Sequence, residues 1–273
     1  MQVLFKAGKA REGYFTNEGI LRQTQAAINI LKTYYPNEDH ILIFNNATTH
    51  LKWPDEALSA RNMPKFTPKP GTNWGPEANM ISENGKPIHS PDGKVAKIKI
   101  HMADASFADG MAQKLYFPLD HPRAGVFKGM SVILEERGLE KESKLKAQCK
   151  DFKCEAGATD CCCRRVLYSQ PDFICVESKL ETLCKSQGLQ VLFLLKFHCE
   201  LNFIKQCWGF AKRIYQQYPA SSKEADLERN LVSALESVPL YSMRRCISYF
   251  TSKIQSFMAQ WTTQIHMPLR CTF

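Results

Sequence analysis

The sequence predicts an α/β fold with a long irregular insertion and a helical C-terminal tail. Three observations predict it. Two short all-apolar runs, Ile41–Phe44 and Val191–Leu195, each lie beside a segment of helical period. A stretch punctuated by prolines, from Pro54 to Pro122, lies between them. Near the C-terminus, Leu240, Met243, Ile247, Phe250, Ile254, Phe257 and Trp261 recur at alternating spacings of three and four.

Taken in order, residues 1–50 read as strand, helix, strand. Thr16 or Asn17 caps a helix from about Glu18 to Tyr35, with Ile20, Leu21, Ala27, Ile28 and Leu31 along one side. Pro36 and Asn37 end it. The run Ile41–Phe44 is apolar throughout, as expected of a strand buried on both faces. Residues 51–175 read as an insertion, of which 51–125 is irregular and poorly ordered with a small β element. Within it, Asp92-Gly93 is a turn signal that closes a hairpin onto Val95–Ile100. Helices are expected near Lys128–Arg137 and Glu177–Lys185, with Gly188 as the residue just past the second. Residues 176–219 resume the strand and helix pattern, as a strand Leu189–Leu195 and a helix Leu201–Tyr215, with Trp208 and Phe210 in the core. Residues 220–273 form the helical tail, opened by a capping box of Ser221 and Glu224. The seam Leu240–Trp261 has two readings, a helix packed on its own domain or a dimerising coiled coil that makes a homo-oligomer.

Composition narrows the class of function. The chain has 273 residues and 44% hydrophobic content, enough for one large domain or two small ones. Its net charge of +9 suits a polyanion such as DNA, because each lysine or arginine placed on a phosphate releases a condensed counterion. No apolar run reaches the length that spans a bilayer, and Lys6 and Lys9 interrupt the apolar start. The expectation is an intracellular protein of nucleus or cytoplasm, with its 11 cysteines mostly reduced.

Five of those cysteines form one cluster in the sequence. Cys149, Cys154, Cys161, Cys162 and Cys163 fall within 15 residues. Thiolates at short spacing suit tetrahedral Zn²⁺, and two of the last three would complete a site begun by Cys149 and Cys154. The alternative is a set of reduced thiols, some of them buried. Cys199 and Cys207 read as packing residues.

Two further segments carry a family resemblance. The string Phe197-His198-Cys199-Glu200-Leu201-Asn202-Phe203-Ile204-Lys205-Gln206-Cys207-Trp208-Gly209 follows the second apolar run. It resembles the end of the catalytic domain in mariner-like DDE transposases, where an acid precedes Leu-Asn-Pro-Ile-Glu and a tryptophan. Glu200 takes the place of the acid, and Leu201, Asn202, Ile204 and Trp208 match. The string Ile41-Leu42-Ile43-Phe44-Asn45-Asn46-Ala47-Thr48-Thr49-His50 is similar to the strand that ends in Asp-Asn-Ala-x-x-His in those enzymes. Ala57–Arg61, Phe127–Met130 and Lys196–Glu200 read as the fungal group of DDE superfamily endonucleases. The resemblance covers about residues 3–247.

The resemblance implies a ribonuclease-H-like fold, two Mg²⁺ or Mn²⁺ ions, and cleavage and transfer of DNA phosphodiesters. It also implies three acids at strand and helix ends, and this chain departs from that pattern. Nothing before Glu12 is acidic, so the family's first strand and its aspartate are expected to precede Met1, leaving a partial fold. Asn45 stands where the second acid belongs, and Lys205 stands where the family has glutamate. Of the three acids, Glu200 remains, read either as a ligand position or as a solvated acid at a helix N-terminus. His50 contacts phosphate or orients a water, or is a surface-loop histidine.

The function expected is therefore that of a transposase-derived, DDE endonuclease-like protein without catalysis. The alternatives are a nonspecific DNA-binding or regulatory protein of the same origin, and a non-functional fragment. The fragment reading expects an unpaired edge on strand 41–44, hence low stability.

Overall fold

The computed structural model describes residues 5, 6, 8, 11, 13–82, 87–196, 202–249 and 252. The chain is mixed α and β, with small two-stranded sheets. It divides into two compact units, one built from residues 1–52 and 179–269, the other from residues 53–178.

The first unit begins with α1 (Asn17–Tyr34). Thr16 is its cap, the side chain accepting from the Gly19 N–H at 3.3 Å. Ile20 and Ile28 turn inward, and the helix stops just before Pro36. Then β1 (Ile41–Phe44) runs parallel to β6 (Gln190–Phe193), with Phe44 opposite Phe193. Between them in the chain lies α6 (Lys179–Ser186), which buries Leu180 and Cys184. Gly188 takes φ of +77°, which turns the chain from α6 into β6. Ile20, Ile28, Leu180, Cys184 and Leu189 form the core, with Leu42, Phe44, Val191 and Phe193 packed against it.

Burial on β1 corrects the sequence expectation. Leu42 and Phe44 face the core, whereas Ile41 is 58% and Ile43 39% exposed. Helices α1 and α6 cover one face of the sheet, and the other leaves Ile41, Ile43 and Leu192 exposed. Pairing of β1 among the described residues is with β6 alone.

After β6 come α7 (Phe203–Tyr215), α8 (Glu224–Glu236) and α9 (residues 240–249). Cys207 and Ala211 of α7 pack with Val238, Phe210, Leu235, Met243 and Cys246. Trp208 is 49% exposed and is not a core residue. It follows Cys207 by one position, about 100° further round the helix from the buried face. The capping box at α8 is also corrected. Lys223 is the cap and makes no side-chain cap bond, while the Ser221 hydroxyl donates to Asp226 at 2.9 Å. In the seam, Met243 packs on its own unit, whereas Leu240 and Ile247 are exposed. Phe250, Ile254, Phe257 and Trp261 lie outside the described residues.

The second unit is irregular in backbone yet has its own core, unlike the weakly ordered insertion expected. Its strands are β2 (Glu77–Asn79) with β3 (Lys97–Lys99), and β4 (Ala105–Ser106) with β5 (Ala112–Gln113), both pairs antiparallel. The Asp92-Gly93 turn is present, with Gly93 at φ of +78° and Ser90 and Lys94 bonded across it. Strands of two or three residues are too short to leave a period in the sequence. The helices are α2 (Met130–Glu136), α3 (Glu140–Ser143), α4 (Cys163–Tyr168) and α5 (Pro171–Ile174). Phe127, Leu115, Met130, Ile133, Leu134 and Leu167 are fully buried together. No described helix is long and apolar enough to cross a membrane.

Candidate functional site

The thiol cluster is assembled by backbone bonds around the start of α4. The Cys163 N–H donates to Lys146 O and the Arg164 N–H to Ala147 O, both at 3.1 Å. These bonds lay the start of α4 against the chain leading to Cys149. A 3-10 turn, Lys150–Phe152, then carries the chain from Cys149 to Cys154. A further turn at Ala158 N–H to Glu155 O, with Gly157 at φ of +80°, brings it back to Cys161.

The sulfurs of Cys149, Cys154, Cys161 and Cys162 consequently all lie within 4.8 Å of one another. The Cys149 and Cys161 sulfurs are 3.6 Å apart. A tetrahedral tetrathiolate with metal–sulfur bonds of about 2.3 Å has sulfurs about 3.8 Å apart. The cluster therefore can hold a metal of this kind. All four cysteines are free, with Cys149 and Cys162 buried and the other two half-buried.

Cys163 is not part of the group. As the first residue of α4 it turns into the unit, where its sulfur lies 3.1 Å from Leu145 O and 3.4 Å from Glu142 O. In a run of three cysteines, the position at which the helix starts decides which side chains converge. Arg165 is the functional residue that sequence reasoning missed. Its guanidinium lies 5.0 Å from the Phe152 ring, near enough to the Cys154 sulfur to favour the thiolate. The signal was present: an arginine three residues after Cys162 sits one helical turn on from the cluster. Desolvation pushes both outer thiols up. At Cys154 the nearby Arg165 cation and the neighbouring thiols outweigh it, bringing the thiol down to about 7. Cys161 is pushed up to about 12 by desolvation and by its thiol neighbours Cys154 and Cys149.

The second place is the carboxyl edge of the β1–β6 pair. Because the strands are parallel and in register, Asn45 and the chain after β6 leave the sheet at the same edge. There the Asn202 amide donates to Asn45 Oδ1 at 2.9 Å. Asn202 also caps α7, its side chain accepting from the Ile204 N–H. His50 Nδ1 lies 2.7 Å from Asn45 O, and its ring meets Phe44 edge to face at 5.4 Å. Asn17 at the start of α1 ties in the same loop, donating to Thr49 O at 2.7 Å. Asn45, His50 and Asn202 are thus brought together. Glu200, with His198 and Cys199, lies outside the described residues.

The described donors at this edge do not fit the Mg²⁺ or Mn²⁺ pair that the resemblance implies. Such ions want hard oxygens, with anionic carboxylates as anchors. Two carboxamides and an imidazole supply no negative charge, and the Asn45 oxygen already accepts from Asn202. No family model, no curated protein and no solved structure matches this chain.

Proposed function

We propose that this chain derives from a mariner-like DDE transposase, keeps part of a ribonuclease-H-like framework, and binds DNA by charge without cleaving it. One observation supports this above all, the Asn202–Asn45 bond at the shared edge of β1 and β6. The resemblance requires the second acid and the third-acid segment to come from neighbouring strand ends. Strands 149 positions apart in the chain, Ile41 opposite Gln190, satisfy that requirement. At the second acid's place, Asn45 accepts from Asn202 with a neutral amide oxygen where the family would present a carboxylate. Losing one anchor of a two-metal site costs orders of magnitude in rate.

The metal of this reading is zinc, a structural ion held by Cys149, Cys154, Cys161 and Cys162, rather than hard cations at the strand ends. The DNA contact is electrostatic. A net charge of +9 with no base-reading motif predicts binding that ignores sequence and weakens with salt. Titration of duplex DNA into the purified chain tests it. Affinity should fall roughly tenfold or more between 50 and 200 mM salt. Absence of binding at low salt would sink the proposal.

A second reading, a fragment without function, is favoured by one observation: Ile41, Ile43 and Leu192 expose an apolar sheet face. A cooperative thermal melt at high temperature would count against it.

A further inference from the structure

We infer that the thiol centre is a folding clasp, in which zinc closes residues 149–162 over a left-handed turn and Arg165 serves as the counter-cation. This rests on the zinc assignment above. The first support is conformational. Asp151 and Phe152, consecutive and neither of them glycine, stand at φ of +53° and +54°. Such residues persist where the surroundings over-determine them, and on the Asp151 side the surroundings are sparse. Lys150, Asp151, Lys153 and the stretch Glu155–Gly157 are exposed. The turn is closed by bonds from Phe152 N–H to Cys149 O and Lys153 N–H to Lys150 O, both 2.9 Å. Its two ends lie where Cys149 approaches Cys154, and those are sulfurs that a metal would join.

The second support is electrostatic. Four thiolates around one Zn²⁺ leave a net negative charge in a partly desolvated place. Arg165, on the helix that Cys162 caps, is held with its guanidinium 5.0 Å from the Phe152 ring, itself 5.6 Å from Tyr168, and so brings a cation to the turn that joins Cys149 to Cys154. The clasp therefore has ligands from both sides of the turn, and a cation fixed by the turn's own aromatic. Binding involves no change of oxidation state. Each thiol gives its proton to solvent as its sulfur bonds the metal.

The test uses the full chain. Elemental analysis of purified protein should give one zinc per chain, and Co²⁺ exchanged for it should show the spectrum of a tetrahedral thiolate site. Removal of zinc by a chelator should speed amide exchange across residues 149–162 while leaving α1 unchanged. Cys154→Ser should lose the metal, whereas Cys163→Ser should keep it. In chelator competition, Arg165→Gln should bind zinc at least tenfold more weakly, with Arg165→Lys recovering part of the loss. A wild type that takes up neither zinc nor cobalt overturns the zinc reading itself. Zinc bound, with exchange across 149–162 unmoved by its removal, overturns the clasp and leaves the zinc reading standing. Unchanged affinity in Arg165→Gln overturns the counter-cation role. The wild-type arms decide the clasp even where a cysteine variant fails to fold.

Discussion

Arg137 joins β5 to α5 in the second unit through side-chain bonds. Its guanidinium grips Asp172 at 3.0 and 2.8 Å, and its Nε donates to Gln113 at 2.8 Å. Gln113 in turn donates to Ile133 O and Glu136, and Lys128 pairs with Glu136 at 2.7 Å. The Arg137 and Asp172 side chains are only 6% and 11% exposed, so removing one strands a charge. Asp172→Ala should cost about 3–5 kcal/mol in denaturant unfolding of this unit. Gly129 is constrained by space and backbone together. At φ of +92°, an added Cβ would sit 2.6 Å from the Phe66 carbonyl carbon. Gly129→Ala should cost about 2 kcal/mol or more, read as a lowered Tm. Glu18 gives a pH signature. Its own backbone N–H and then Lys52 hold its carboxyl down to about 2, against an ordinary value of 4.5. A depressed carboxyl stabilises above its unfolded value, and that contribution is lost as pH falls from 4.5 towards 2. With its side chain 61% exposed, screening limits the effect to about 0.5 kcal/mol. Glu18→Gln should therefore melt slightly lower than wild type at pH 7, and at the same temperature near pH 2.

At the scale of elements, legibility followed length and period. Helix α1 was readable because a cap, a stripe of apolar residues and a proline stop all agree, and Thr16 proved to be the cap. Strand β1 was readable in its bounds, Ile41–Phe44, but not in its burial. An all-apolar run says that a strand can be buried on both faces, and whether a second layer exists is a tertiary matter. The box at Ser221 and Glu224 failed because Ser221 turned to Asp226 instead. In the thiol cluster, the convergence of Cys149 and Cys154 with two of the last three cysteines was legible by spacing, while which of the three stands aside required the start of α4. The exposed sheet face carries its own prediction. Ile43→Thr should raise the soluble, monodisperse fraction in size-exclusion chromatography, since it keeps a β-branched residue on the strand and removes apolar surface. A fall in that fraction would mean that the face is covered.

On the scale of the whole molecule, two units with separate cores carry two different pieces of chemistry. The first, residues 1–52 with 179–269, holds the strand-end amides. The second, residues 53–178, holds the thiols. Among the described residues, the strand-end donors are two amides and an imidazole, without the anionic oxygens that cleavage by two metals needs. Under the proposed function the DNA contact rests on the net charge of +9, which needs no such geometry. The most direct test is Mn²⁺-dependent nicking of supercoiled DNA by monodisperse protein, run beside Glu200→Ala. The account predicts no nicking above background from either protein. Nicking by the wild type that disappears in Glu200→Ala would contradict it, because the strand-end site would then be assembling a working metal centre.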